Sequence, residues 1–399
     1  MFLVVSCATS VTVTSPPTIL PDISIARHPE PVDWSGFSVY NYPPVYDPKS
    51  TERWQVDLRS SDLTKLDLSR STSDLFFADF DSKTQWPDAD KMPTDFDWQK
   101  IMEVNKDPGL GIRALHDQGI TGAGVGIAII DQTLLVDHIE YKDRIRMYEE
   151  AGDTTTDWQK ASMHGAAVAS IAAGTTVGVA PDADLYFIAT DFCGATSLQD
   201  LDFSCWARAV RRTMEINKDL PADHKIRVLS LSWGWRPESK GYHQITAAVN
   251  EAKAAGIFVI SSSLSQTDNL SFHGLGRAPL SDPNDVWSYQ PGLWWQNDFY
   301  QDGFSSPTLL VPMDSRTTAS PTGTEDYVFY RQGGWSWCIP YLAGVYALAV
   351  QVKPDITPEQ FWEIALDTGR TIHLGQHGKD YEFEVILDPQ ALIEALKSK

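Results

Sequence analysis

From about residue 108 onward, short apolar runs alternate with longer amphipathic segments. The runs "VGIAIID", "DLYFIAT", "IRVLSLSWG" and "IFVISSS" are nearly uninterrupted and rich in β-branched residues, which predicts buried strands. Between them, "CWARAVRRTMEIN" and "ITAAVNEAKAAG" have the spacing of helices with one apolar face. Buried strands separated by helices indicate a doubly wound α/β fold, with a mostly parallel sheet covered by helices on both faces.

The preceding part of the chain has a different pattern. Residues 31–105 are rich in Asp, Ser, Pro and Trp and show no sustained alternation of apolar and polar positions. We therefore predict three parts: a truncated lipoprotein signal with a Ser/Thr/Pro linker over 1–30, an N-terminal appendage or propeptide of unknown fold over 31–105, and a large α/β domain over 106–399.

The first residues, "MFLVVSCATS", are too short an apolar run for an ordinary secretory signal. The letters "VVSC" resemble the end of a bacterial lipoprotein signal, which predicts lipidation at Cys7. A terminus without any such role is the alternative, and both interpretations stay open. No later stretch approaches the ~20 apolar residues of a membrane-spanning helix. We expect an extracellular or cell-surface protein with a possible lipid anchor, and a cytoplasmic location also stays open.

Composition limits the classes of partner. The 399 residues carry 53 acidic and only 32 basic side chains, a net charge of −21, which argues against nucleic acid because phosphates require a basic surface. The cysteines form no CxxC and no Cys/His cluster, so we predict no metal and no other cofactor. Cys193 and Cys205 have two interpretations, a disulfide or two buried thiols.

Three polar residues stand where predicted strands and helices meet. Asp131 ends "VGIAII", His164 begins the small-residue helix "HGAAVASIAAG", and Ser336 lies at the start of the apolar helix in "GGWSWCIPYLAG". In a parallel sheet, functional residues collect at the carboxyl ends of the strands. An acid, an imidazole and a hydroxyl are the groups needed for nucleophilic acyl transfer, in which His takes the Ser proton and Asp orients the imidazole.

These segments resemble those of the subtilisin-like serine proteases. "ALHDQGITGAGVGIAIID" resembles the family's Asp segment, "HGAAVAS" with "GVAPDADLYFIA" its His segment, "VLSLSWG" its substrate-binding strand, and "GGWSWCIPYLAG" its nucleophile helix. The chain order Asp, His, Ser is also that of the family. The resemblance implies a peptidase domain over 106–399, with Asp131, His164 and Ser336 as the catalytic triad.

The resemblance also shows where this chain departs from the family. Ser232, Trp233 and Gly234 fall on the strand that pairs with the substrate backbone. The oxyanion Asn is replaced by Ser265, and the Gly before it becomes Leu264, which we expect to add bulk next to substrate. The loop between Gly174 and Gly178 is too short for the family's usual calcium site.

Two functions follow from these features. The first is a serine endopeptidase that cuts peptide or protein substrates through an acyl-enzyme, slowly or selectively because the oxyanion Asn is missing. The second is a catalytically degenerate protein whose cleft binds a peptide or a partner. Residues 31–105 also have two interpretations: they form a permanent appendage, or they form the removable inhibitory propeptide that the resemblance implies. The sequence does not indicate the oligomeric state.

Overall fold

The computed structural model describes residues 23–36, 38–151, 159–195, 197, 200–303, 307–376 and 378–398. Cys7, the predicted lipidation site, lies outside these residues. The strands are β1 Ser24–Ile25, β2 Val56–Asp57, β3 Ala78–Asp81, β4 Gly126–Asp131, β5 Ile145–Glu150, β6 Asp184–Ala189, β7 Ile226–Leu231, β8 Phe258–Ser261, β9 Phe272–Arg277, β10 Tyr289–Pro291, β11 Leu309–Pro312, β12 Arg316–Ala319, β13 Tyr327–Tyr330, β14 Arg370–Gln376 and β15 Lys379–Ile386.

Helices connect these strands and cover them. The α-helices are α1 Thr72–Leu75, α2 Trp98–Val104, α3 Ile112–His116, α4 Met163–Ala173, α5 Ser204–Asp219, α6 Tyr242–Ala254, α7 Leu264–Thr267, α8 Gln296–Asp302, α9 Trp335–Val352, α10 Pro358–Thr368 and α11 Pro389–Lys397.

The central sheet is parallel throughout, in the order β1-β5-β6-β4-β7-β8. Side chains alternate along β4 between its two faces. Ile127 and Ile129 pack into the core that contains α4 and α9, whereas Ala128 and Ile130 pack into the core formed with α5 and α6. The doubly wound α/β architecture expected from the apolar runs is therefore confirmed.

Residues before 106 contribute to two of the sheets. Strand β1 adds an edge to the central sheet beside β5. Strands β2 and β3 join a second sheet in the order β12-β13-β3-β2, where Phe80 of β3 is opposite Phe329 of β13. Phe80 and Phe329 also share one hydrophobic core. Whether 31–105 is a separate domain or a removable segment stays a prediction.

Helix α9 runs from the candidate nucleophile into the centre of the molecule. It is the one helix in the described residues that is long and apolar enough to cross a membrane by composition. However, 78% of it is buried inside the protein, as expected for a core helix. Cys338 on this helix is a buried free thiol, and Cys193 and Cys205 form a disulfide.

Candidate active site

The acid and the imidazole are joined directly. Asp131 is the last residue of β4, and its Oδ1 lies 2.7 Å from Nδ1 of His164 in the first turn of α4. The same carboxylate oxygen accepts the backbone N–H of Gln132 at 2.8 Å. Ser162 caps the helix by accepting the N–H of His164, so both partners are fixed to regular elements.

The environment of His164 controls its protonation. Burial opposes the charged imidazolium, but the adjacent Asp131 carboxylate stabilises it by its charge and by the hydrogen bond, and the net effect raises the pKa of His164. The Asp131 side chain is only 3% exposed, whereas that of His164 is 19% exposed. A buried carboxylate behind a partly open imidazole is the arrangement that a general base requires.

The backbone around Ser336 is shaped by a proline. Ser336 is the second residue of α9, where its N–H has no acceptor within the helix. Pro340 lacks the N–H that would normally bond the Ser336 carbonyl one turn earlier. The Ser232 hydroxyl takes over this role and donates to Ser336 O at 3.0 Å. This bond ties the nucleophile helix to the segment after β7.

The glycines before Ser336 allow a close approach of two backbones. A Cβ on Gly333 would collide with the carbonyl oxygen of Met313. The N–H of Gly333 donates to the buried Asp314 carboxylate at 2.9 Å. The start of α9 is therefore held against the chain at Met313 and Asp314, in a space that admits no side chain.

Ser336 and His164 line one cleft of about 710 Å³, a volume typical of ligand pockets. In this structure the Ser336 hydroxyl donates to Ser232 O at 3.3 Å. Among the described residues, no hydrogen bond links this hydroxyl to the imidazole. Hydrogen bonds between a nucleophile and its base are often long or absent without substrate and form when substrate binds.

The segment after β7 is arranged like a strand with one free edge. The Trp233 carbonyl accepts from Ser262 N–H at 3.0 Å, so Trp233 is joined to the neighbouring strand end. Gly234 has no backbone hydrogen bond within the described part of the chain, which leaves its N–H and C=O available to an extended peptide. The Trp233 ring lines the cleft and packs against Phe192, with centroids 4.9 Å apart.

Ser265 lies in a neighbouring cavity. It is exposed on α7 and borders a cavity of about 170 Å³ together with Ser262 and Trp335, the residue before Ser336. Leu264 corrects one expectation: its side chain is 0% exposed and belongs to the main core, because α7 begins at this residue and turns it inward. It cannot add bulk beside a substrate.

The short loop between Gly174 and Gly178 is closed by one buried carboxylate. Glu140 is 1% exposed and accepts the Thr176 N–H at 2.8 Å, the Thr176 hydroxyl at 2.5 Å and the Tyr327 hydroxyl at 2.5 Å. Among the described residues, no group of three or more His, Cys, Asp or Glu side chains has the geometry of a metal site.

The cleft also contains residues that no sequence motif had marked as functional. Arg53, Trp54, Arg59 and Asp79, all from the N-terminal appendage, line it together with His164 and Ser336. Burial raises the pKa of Asp79 to about 7, although the nearby Arg59 guanidinium acts in the opposite direction. The only signal in the sequence was the density of Trp and Arg around residue 54.

Known proteins resemble this chain in sequence and fold. The model of the subtilase family matches residues 122–295, a range that contains Asp131 and His164 and ends before Ser336. Serine protease AprX of Bacillus subtilis (strain 168) is 25% identical over 283 residues, and Subtilisin E of the same strain is 26% identical over 253 residues. Each alignment covers 62% of this chain, and the chain spans 62% and 61% of the two relatives.

A solved structure resembles the fold. The prenylagaramide maturation protease PagA aligns with a TM-score of 0.50 and 17% identity, over 72% of this chain and 98% of that one. This likeness and the parallel sheet show an α/β fold of the subtilisin-like type. The family match and the relatives show that the chain is similar to the subtilases.

Proposed function

We propose that this protein is a serine endopeptidase in which Ser336 attacks the peptide carbonyl, His164 takes the hydroxyl proton and Asp131 orients the imidazole. The observation that carries this proposal is the 2.7 Å bond between Asp131 and His164 in a cleft that Ser336 also lines. Collapse of the tetrahedral intermediate gives an acyl-enzyme and releases the amine, which receives the proton from His164. Water then hydrolyses the ester by the reverse proton transfers.

The oxyanion site accounts for a slow or selective enzyme. The Ser336 N–H, free at the start of α9, supplies one donor. The Ser265 hydroxyl is the second hydrogen-bond donor to the oxyanion. It is a weaker donor than an Asn amide, because it extends less far from the backbone and its O–H rotates freely. Gln266 and Asn269 are exposed on the same segment and are the alternative donors.

A covalent serine-hydrolase probe tests this proposal. A fluorophosphonate should add to the wild type at one site, found by mass spectrometry on the peptide containing Ser336. Ser336→Ala should not react, whereas the control Ser69→Ala, which removes an exposed hydroxyl outside the cleft, should react like the wild type. Failure of the wild type to react, together with no cleavage of a denatured protein substrate, would contradict the proposal.

The second candidate is a cleft that binds a peptide without cutting it. The pairing of the Ser336 hydroxyl with Ser232 and the missing oxyanion Asn favour this function. It predicts that peptides bind the wild type and Ser336→Ala equally and emerge uncut.

We further propose that the protein works outside the cytoplasm, at the cell surface or in secreted form, with Cys7 as a lipid attachment site. The disulfide between Cys193 and Cys205 supports an oxidising compartment. Metabolic labelling with a fatty-acid analogue, compared between wild type and Cys7→Ser, tests the anchor. Label that persists in Cys7→Ser would argue against it.

A further inference from the structure

The N-terminal appendage supplies one wall of the cleft. The Trp54 N–H donates to Oε1 of Gln332 at 2.8 Å, and the Trp54 indole N–H donates to the Gln332 carbonyl at 3.0 Å. The Trp54 ring meets Trp294 edge to face at 5.3 Å. Since Gln332 lies four residues before Ser336, these contacts place the appendage directly beside the candidate nucleophile.

This wall is anchored from behind. Asp79 of β3 accepts the Arg331 N–H at 2.7 Å, and β3 pairs with β13 immediately before Arg331. Phe80 of β3 is wholly buried and shares one hydrophobic core with Phe329 of β13. The wall therefore shares a sheet and a core with the segment that leads to Ser336.

Arg53 places a positive charge on this wall. Its guanidinium carbon lies 3.6 Å from the centre of the Trp294 ring, and the side chain is exposed. Within the described residues, Arg53 forms no ion pair or hydrogen bond with a carboxylate. The other arginine of the cleft, Arg59, is already paired with Asp57 through bonds of 2.7 and 2.6 Å.

The remainder of the cleft offers little negative charge. Asp79 is the one carboxylate among the described residues that line it, and this side chain is buried and already accepts a backbone N–H. Aromatic rings form much of the lining: Trp54, Trp233, Trp294, Tyr330 and Trp337. Although the chain has a net charge of −21, the Arg53 guanidinium lines a largely aromatic candidate active site without a carboxylate partner among the described residues.

We propose that Arg53 is a specificity-determining residue that binds a carboxylate of the substrate near the scissile bond. A guanidinium stacked on an indole keeps its planar N–H groups pointing outward, the geometry that pairs with a carboxylate through two parallel hydrogen bonds. The carboxylate comes from an acidic side chain or from a free C-terminus. This inference rests on the proposed peptidase function and assigns its substrate class.

Paired peptides test the preference. One series carries Asp or Asn at each position within two residues of the cleavage site, and a second ends in a free carboxylate or an amide. For the position that Arg53 reads, kcat/KM should be about three- to tenfold higher for the acid than for its neutral match, because the site is partly exposed. The preference should decrease as salt increases.

The variants separate recognition from stability. Arg53→Gln should equalise acidic and neutral peptides, and Arg53→Lys should restore part of the preference. Arg70→Gln, which removes an exposed arginine of the same appendage outside the cleft, should leave the ratio unchanged. An unchanged acid preference in Arg53→Gln, or no preference in the wild type, would overturn the proposal.

Binding measurements keep this test independent of catalysis. The same peptides are titrated into Ser336→Ala, where an acid preference that Arg53→Gln abolishes supports recognition even if no turnover is found. A wild type that reacts with the serine probe but ignores the carboxylate refutes only this inference. An active mature protein that begins near residue 100 also refutes it, because such a chain lacks Arg53.

Discussion

The two sides of the candidate site differ in how their groups are held. On one side, β4 and the capped first turn of α4 fix Asp131 and His164 in a 2.7 Å bond. On the other side, Ser336 has a fixed backbone, but its hydroxyl is directed to Ser232 and Ser265 lies in a neighbouring cavity. The comparison indicates that the Asp131–His164 pair is preorganised in this structure, whereas the Ser336 hydroxyl and the candidate oxyanion donor are not.

The largest expected effect comes from removing the proton-transfer groups. Ser336→Ala and His164→Ala should each reduce peptide cleavage to nearly nothing, since nucleophile and base act as a unit. Asp131→Asn keeps the shape but orients the wrong tautomer, and we expect a loss of about 10⁴-fold in kcat. Purified variants of matched melting temperature are compared on one fluorogenic peptide. Wild-type rates in Ser336→Ala would show that the nucleophile is another residue.

On the Ser336 side of the site, one substitution should increase kcat. Ser265→Asn places an amide donor at the proposed oxyanion position, and a donor of this kind is worth about 100- to 1,000-fold in kcat in subtilisin itself. We expect a rise toward that range with little change in KM. An unchanged kcat in Ser265→Asn, combined with a large loss in Gln266→Ala or Asn269→Ala, would show that the oxyanion donor comes from elsewhere on this segment.

Leu264 needs a separate control because it belongs to the core. Leu264→Gly removes a wholly buried side chain and should lower the free energy of unfolding by about 2 to 5 kcal/mol or more. Its effect would be read first in the melting temperature and only then in activity. Leu264→Gly should therefore not be combined with Ser265→Asn, because a loss of stability would obscure any gain in kcat.

The appendage lies on the Ser336 side of the comparison and holds the backbone that leads to Ser336. Asp79→Asn weakens the acceptor for the Arg331 N–H and should displace the segment leading to Ser336. A displacement of about 1 Å can cost up to about 100-fold, so we expect kcat to fall about ten- to 100-fold while the imidazole titration stays in place. A drop confined to the melting temperature, with kcat intact, would mean that Asp79 serves only stability.

The pH profile reports on the more fixed side. Because the pKa of His164 is raised, its imidazole becomes protonated, and stops acting as a base, at a higher pH than an ordinary histidine does when the pH falls. Below this pKa, activity should fall about tenfold per pH unit. Removing the charge in Asp131→Asn should move this limb to lower pH. The same raised pKa stabilises the fold below the unfolded value, and this contribution disappears as the pH rises through the folded value. An acidic limb that does not move in Asp131→Asn would be inconsistent with this account.

Local sequence patterns predicted the fixed side well. The apolar run of β4 ends at Asp131 and the small-residue helix begins at His164, so the periodicity placed both groups at one edge of the sheet. Leu264 shows where prediction from the sequence fails. Its position in a family motif predicted a side chain next to substrate, but α7 turns this side chain into the core. The wall formed by Arg53 and Trp54 was also missed. Trp54 meets Gln332 across 278 positions of sequence, and no local pattern encodes such a contact.

The smallest expected effect concerns metal removal. Where many subtilisins have a longer calcium loop, the Glu140 carboxylate closes the short loop with hydrogen bonds from Thr176 and Tyr327. Chelation by EDTA should therefore barely change the melting temperature, since hydrogen bonds within the protein already satisfy this carboxylate. Glu140→Gln leaves buried donors poorly matched and should cost about 1 to 3 kcal/mol. A large loss of stability in EDTA, restored by added calcium, would establish a metal site elsewhere in the chain.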